Sequence, residues 1–388
     1  MGTRRDFPAQ VERFNERPGA SPPGAVVAVP VKNEAERIGL CLEALGGQVG
    51  VDSTSIAVIL LLNNTTDDTA ERVRATAPGL HFPLEMRQVS FPPSCANAGW
   101  ARRLAMDAAA DWVRPDGVIL TTDADTFADE DWLAVNLAAI AAGVDAVAGF
   151  ITAEPMELME LGPTILERGA LEWEYQHLAA ELEARADPEP HDPWPRHNQN
   201  CGASAAVTAA AYRRIGGLPT KAVGEDRALF EMLRRADLKI RHSLDAHVVT
   251  SARTDGRATG GLADAIRLRT DPDHPCDDLL EVAVMTLRRA LWRGELRADR
   301  RAARIDEDAW ARRMGVGVVD FRRAASRRTF GETWGELEAA SPRLARRLVT
   351  GAELKREVRR IKRLVRAARL RAKAAAAAPA APRRAVAG

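Results

Sequence analysis

The sequence predicts an α/β protein with a Rossmann-like, mostly parallel central sheet flanked by helices and a helical C-terminal extension. Two apolar runs, AVVAVPV (25–31) and SIAVILLL (55–62), lack alternation and so suit strands covered on both faces. Stretches with helical spacing follow each run, as connections between parallel strands require. The strands also end in polar residues, and open sheets of this kind bind ligands beyond the carboxyl ends of their strands.

Residues 1–24, polar and rich in Pro and Gly, read as an N-terminal arm or linker. After the first strand, NEAERIGLCLEAL spaces Ile38, Leu42 and Leu45 for a helix; DDTAERVRATA follows the second strand in the same way. A third cycle runs from LEMRQVS (84–90) into NAGWARRLAMDAAADW, and a fourth strand, GVILTT (117–122), leads to Asp123 and Asp125. Residues 151–200 break the rhythm with an acidic helical stretch and a loop, DPEPHDPWPRHNQNCG, of a length that is usually functional or disordered. The sheet resumes near ASAAVT, and GEDRALFEMLRRADLKIRH predicts a turn, a helix and a strand. The expected divisions are 25–262 for the main domain, 263–352 for a helical extension, and 353–388 for a basic amphipathic helix with an Ala/Pro tail.

Composition narrows the class. Hydrophobic residues make up 46% of the 388 positions, ample for a core, and 28% are charged. Four separated cysteines form no C-x-x-C pair, so reduced thiols in the cytoplasm are expected. The N-terminus lacks the apolar centre of a secretory signal, and no run is long enough to span a membrane. Residues 353–388 hold twelve Lys or Arg against two Glu, leaving −9 for the rest of a chain whose total is +1. Nucleic-acid binding is not expected from an acidic body without basic-aromatic interleaving.

Asp123 and Asp125 raise the functional question, since aspartates at a strand end also serve as ordinary caps. Their neighbours answer it. VPVKNEAERIGLCLEAL, NNTTDDT, TTDADT and GGLPTKAVGEDRALFEMLRRADLKI occur in an order and spacing that resembles the family 2 glycosyltransferases of the GT-A fold, over roughly residues 25–250.

The resemblance implies an inverting transfer of a sugar from a nucleotide-diphosphate sugar to an acceptor hydroxyl. It implies Mg²⁺ or Mn²⁺ held by Asp123 and Asp125, with Asp125 the direct ligand and Asp123 contacting the ribose or reaching the metal through water; a hard cation with oxygen ligands would neutralise the departing diphosphate. Asp226, beside Glu225, is the implied general base, the alternative being a helix cap. Pro30, Val31 and Glu34 match positions that line the base and ribose. Asn63 and Asn64 stand where many relatives carry aspartates that read uracil, which leaves the donor base open. Ala96 replaces a basic residue common before the asparagine, and Arg102 or Arg103 could compensate, although solvent-facing arginines are commoner. Arg253 and Arg257, in TSARTDGRATGG (250–261), could fold over the diphosphate. His247 is a candidate for the metal, with a buried structural role preferred.

For the acceptor, which could be a small molecule, a glycan or lipid-linked, the residues themselves point to Trp194, His197, Asn198 and Asn200. Trp173 and Tyr175 are expected to pack in the core. A sugar-1-phosphate nucleotidyltransferase, or a non-catalytic protein with the same fold, are the alternatives; the first usually opens with a glycine-rich loop, and VPVKNEAERI has none. In the tail, Leu354, Val358, Ile361 and Val365 form an apolar stripe that could rest on anionic lipid, on the helical domain, or on a second subunit of a homodimer.

Overall fold

The computed structural model describes residues 7–16, 21–256, 261–277 and 279–377. Among these, nine strands form one sheet: β1 (Ala9–Phe14), β2 (Ala25–Val31), β3 (Ile56–Asn63), β4 (Leu84–Val89), β5 (Val118–Thr121), β6 (Thr126–Ala128), β7 (Ala146–Ala153), β8 (Ala205–Thr208) and β9 (Ile240–Thr250). Their order is β1-β4-β3-β2-β5-β8-β7-β9-β6. The parallel block β4-β3-β2-β5 carries the predicted strands, and β8 enters antiparallel between β5 and β7.

The unbroken apolar runs arise because neighbouring residues enter two different cores. Val27, Val29, Val31, Val58, Leu60 and Leu62 face one side, where the helix Ile38–Gly46 contributes Ile38, Cys41 and Leu42. Val26, Ala28, Ala57, Ile59 and Leu61 face the other, covered by the helix Ala98–Trp112 through Ala101, Ala105 and Met106. Sheet positions that alternate between two packed layers have no polar face to show.

The N-terminal stretch expected to be an arm holds a strand. β1 runs antiparallel along β4, with Val11 opposite Arg87, while Phe7 packs edge-on to Phe91 and Trp100. It covers what would otherwise be an open sheet edge. β6 and β7 were not among the expected elements; β6 has three residues, and β7 pairs with β9 across a register shift at Gly149/Phe150.

The C-terminal region is helical, as expected, from Ala283–Arg301 to the 27-residue helix Gly351–Ala377. Leu354, Val358, Ile361 and Val365 are buried with Tyr175, Ala179 and Leu182 of the long helix Pro163–Ala186. Of the surfaces considered for this stripe, the chain's own helix is the one it meets. Among the described residues no helix is long and apolar enough to cross a membrane.

Candidate active site

The carboxyl ends of β2, β3 and β5 open on one rim. After β5 the chain turns tightly, the Thr126 amide donating to the Asp123 carbonyl, and then forms β6 against β9. This turn presents Asp123 and Asp125. The Asp125 carbonyl accepts from the Ser251 amide, so the segment after β9 is laid across the turn and brings Arg253 with it.

Arg253 Nη2 lies 2.9 Å from Asp125 Oδ2, and Arg253 also forms a forked pair with Glu34, Nη1 donating to Oε2 at 2.8 Å. Glu157 steadies this approach by accepting from Ser251 Oγ, the Ala252 amide and Arg37. Burial, followed by the Asp123 and Glu34 carboxylates, pushes the Asp125 carboxyl up to about 7 against the pull of Arg253. A cavity of about 290 Å³ beside it is lined by Asn33, Glu34, Asp67, Asp68 and Arg253.

Across the cleft, the helix Glu225–Arg235 begins after Gly224, whose left-handed φ of 72° turns the chain into it. Asp226 does not serve as its cap. It lies inside the first turn, where Oδ2 accepts from the Gly202 amide at 3.0 Å and Oδ1 from the Arg227 amide at 2.7 Å. Each oxygen keeps a second acceptor site, and the side chain remains partly exposed.

Arg102 joins the two walls. Its Nη2 donates to Asp123 Oδ1 at 2.6 Å, Nε to Glu225 Oε1 at 3.2 Å, and Nη1 to Thr121 Oγ1 and the Gly202 carbonyl at 2.9 and 3.0 Å. Only 5% exposed, it is a structural hub and not one of the commoner solvent-facing arginines. A Cβ on Gly202 would stand 2.4 Å from its Cζ, which explains the glycine there. Burial, with Asp226 adding, raises the Glu225 pKa while Arg102 opposes the rise. Arg103 instead braces structure, bonding Asp107 and the Leu218 carbonyl.

The other expected residues are distributed unevenly. Pro30 and Val31 end β2, and Asn63 ends β3, at the rim. Asn64 is engaged internally: Nδ2 donates to the Phe91 carbonyl at 2.9 Å and Oδ1 accepts from the Phe91 amide at 3.1 Å. That pairing, at φ 51°, differs from the expected base contact because the amide is spent closing two loops. Arg257 lies outside the described residues.

His197 and Asn200 also depart from the expected hydroxyl-binding role. The His197 Nε2 faces the Ala148 and Ser243 carbonyls at 3.1 and 3.2 Å, and Nδ1 accepts from the Gln199 amide at 3.0 Å. Asn200 Oδ1 accepts from Arg234 at 2.6 Å, and its Nδ2 donates to the Asn198 carbonyl. Both side chains are buried, so they pin the long loop to the sheet. Asp192 completes that anchorage by accepting from Arg196 and the His242 amide.

Trp194 is partly exposed, edge-on to His177, which stacks on Trp173 at 5.7 Å. Trp173 is 55% exposed, contrary to its expected core position, whereas Tyr175 is buried. His247 has both ring nitrogens occupied, by Asp129 Oδ2 and Thr152 Oγ1, each at 2.8 Å. It is about a quarter exposed, where a buried histidine was expected.

Among the described residues, no three His, Cys, Asp or Glu side chains gather closely enough to form a metal site by themselves. Mg²⁺ characteristically takes one or two carboxylates together with substrate phosphates, and Asp123 and Asp125 supply that kind of donor. Arg102 and Arg253 meet these two carboxylates at 2.6 and 2.9 Å, so positive charge already stands where a bound cation would supply it. These residues therefore fit a divalent cation arriving with a diphosphate.

Residues 26–193 match the family model described as Glycosyl transferase family 2. No curated protein matches the chain by sequence. Among solved structures it is similar to the mannosyltransferase PcManGT from Pyrobaculum calidifontis in complex with GDP-Man and Mn2+, at 18% identity and TM-score 0.46, over 95% of this chain and 79% of that one. It is similar to glucosyl-3-phosphoglycerate synthase from Mycobacterium tuberculosis in complex with Mn2+, UDP and phosphoglyceric acid, at 17% identity and TM-score 0.40, over 66% and 85%. S. aureus TarS 1-349 shares 14% identity at TM-score 0.41, over 81% and 90%.

Proposed function

We propose, on the premise that residues 26–193 belong to glycosyl transferase family 2, that this protein is an inverting, metal-dependent transferase that moves a sugar from a nucleotide-diphosphate sugar to an acceptor hydroxyl. The observation that carries the proposal is the Arg102 bridge, which ties Asp123 on the donor side to the Glu225–Asp226 turn on the other.

Donor binding falls to the rim. The strand ends at Pro30, Val31 and Asn63 border the nucleotide, with the Val31 and Asn63 side chains buried behind them, and Arg253 offers its guanidinium to the diphosphate once released from Asp125 and Glu34. Asp123 and Asp125 would hold Mg²⁺ or Mn²⁺, which when bound supplies the positive charge that a departing diphosphate needs.

Asp226 takes the proton of the acceptor hydroxyl as that oxygen forms a bond to the anomeric carbon. The bond from that carbon to the diphosphate oxygen breaks on the opposite face, and the nucleoside diphosphate leaves with the electron pair. Backbone N–H donors from Gly202 and Arg227 fix the direction of the carboxylate. Glu225 positions that turn through Arg102. Trp194, with Trp173 and His177, offers an aromatic surface for an acceptor that contains sugar.

The test is nucleotide release. A panel of nucleotide sugars, incubated with the protein and Mn²⁺, should yield the free nucleoside diphosphate from at least one donor, and chelation should abolish it. Pyrophosphate released from a nucleoside triphosphate and sugar phosphate would instead identify a nucleotidyltransferase.

A further inference from the structure

The helix Gly351–Ala377 divides its faces unusually. Its apolar side is locked against Pro163–Ala186, and its two acids, Glu353 and Glu357, lie toward the protein, Glu357 being 1% exposed. The outer side carries Arg356, Arg359, Arg363, Arg366, Leu370 and Lys373, all exposed, at spacings of three and four residues. Such spacing places them in one row, about 26 Å long at 1.5 Å per residue. Among the described residues, Glu353 pairs with Arg356, while no acidic partner meets Arg359, Arg363, Arg366 or Lys373.

Beside this row opens a cleft of about 410 Å³. Arg288, Arg343, Arg347 and Arg360 line it together with Val282, Val284, Met285, Pro342 and Ala345. Arg347 and Arg360 pair with Glu353 and Glu357, while Arg288 and Arg343 meet no acidic partner among the described residues and stand with apolar side chains, a combination suited to a phosphate-bearing group attached to a hydrocarbon.

We propose that this ridge and cleft dock the protein on a membrane surface rich in anionic phospholipid. The ridge lies on the headgroups, and the cleft takes a single headgroup with the start of its lipid. Attachment is electrostatic: the stripe that would insert into lipid is already buried in the protein, and Leu370 alone among large apolar side chains shares the row. A straight ridge matches a plane. It has no aromatic side chain on which bases could stack, and it is convex where single-stranded nucleic acid is held in grooves. Each surface cation contributes to such binding, and the attraction is lost with added salt. This inference is independent of the transferase chemistry.

The experiment is sedimentation of the full chain with phosphatidylcholine vesicles, with and without phosphatidylglycerol. Binding is expected only with the anionic lipid, reversed by salt. The triple variant Arg359→Glu, Arg363→Glu, Arg366→Glu should bind more than about 10-fold more weakly with an unchanged melting temperature, and the corresponding Gln triple should fall between it and the parent. Leu370→Ala should bind like the parent. Equal sedimentation with neutral and anionic vesicles, full binding by the charge-reversed chain, or capture from vesicles by duplex DNA or RNA at equal phosphate would each overturn the proposal.

Discussion

The guanidinium of Arg102 and the carboxylate of Glu225 lie 3.2 Å apart across 123 residues of sequence, both almost removed from solvent. The same guanidinium holds Asp123 at 2.6 Å, so one side chain sets the distance between the strand end that would bind the donor and the turn that carries Asp226.

Removing Arg102 should therefore affect both folding and turnover. Arg102→Ala leaves buried Glu225 and its neighbours without their counter-charge, a loss expected at about 3–5 kcal/mol, measurable by urea unfolding. Arg102→Lys keeps the charge but cannot reach four acceptors from one planar fork. It should fold, with turnover reduced more than donor affinity.

Asp226 and Asp125 should separate cleanly. Asp226→Asn keeps the size and one of the two backbone N–H contacts, since its Nδ2 cannot accept, and it cannot take a proton, so donor-dependent thermal stabilisation should persist while turnover falls about 10²–10⁴-fold. Asp125→Ala should lose both the Mn²⁺-dependent stabilisation and the turnover. Parent-like turnover by Asp226→Asn would place the base elsewhere.

His197 predicts how stability depends on pH. Burial, followed by the nearby His242, pushes its pKa down to about 3 from an ordinary 6.5. Below about 6.5 the unfolded chain gains a proton that the folded chain refuses until about 3, so stability falls as pH drops through that window. Melting temperatures taken across it should decline. His197→Gln, less stable near neutrality, should show a shallower decline, with His242, also depressed by burial, accounting for part of what remains.

Asn64 makes the case for structure over recognition. Asn64→Ala strips both hydrogen bonds from the Phe91 backbone and should cost about 1–3 kcal/mol, read by thermal unfolding. Donor affinity of the remaining folded protein, measured by calorimetry, should stay within about 3-fold of the parent's.

The order of elements could be read from local pattern. β2 and β3 bury both faces, so their apolar runs stand out, and the helix Glu225–Arg235 shows its stripe at Leu229, Phe230 and Leu233. β1, β6 and β7 left a fainter trace. β1 is an exposed edge beside Pro- and Gly-rich chain, β6 is three residues long, and β7 loses its burial beyond Gly149. Arg102 stood out only as an alternative to Arg103: its helix is amphipathic either way, and only the approach of Gly202 and the helix Glu225–Arg235 reveals that the arginine points inward.

By itself, then, the sequence determined the layered sheet, the helical C-terminus, and the positions of Asp123, Asp125, Glu225 and Asp226 at element ends, because periodicity and chain order are local properties. Only the tertiary structure decided which polar groups remain available for chemistry. His197, Asn200 and Asn64 have their hydrogen-bonding capacity taken up by backbone and side chains distant in sequence, while Arg102 and Glu157 are drawn inward to steady the site. A buried polar group must find partners wherever folding supplies them, and those partners lie tens to hundreds of residues away, beyond the reach of any local pattern.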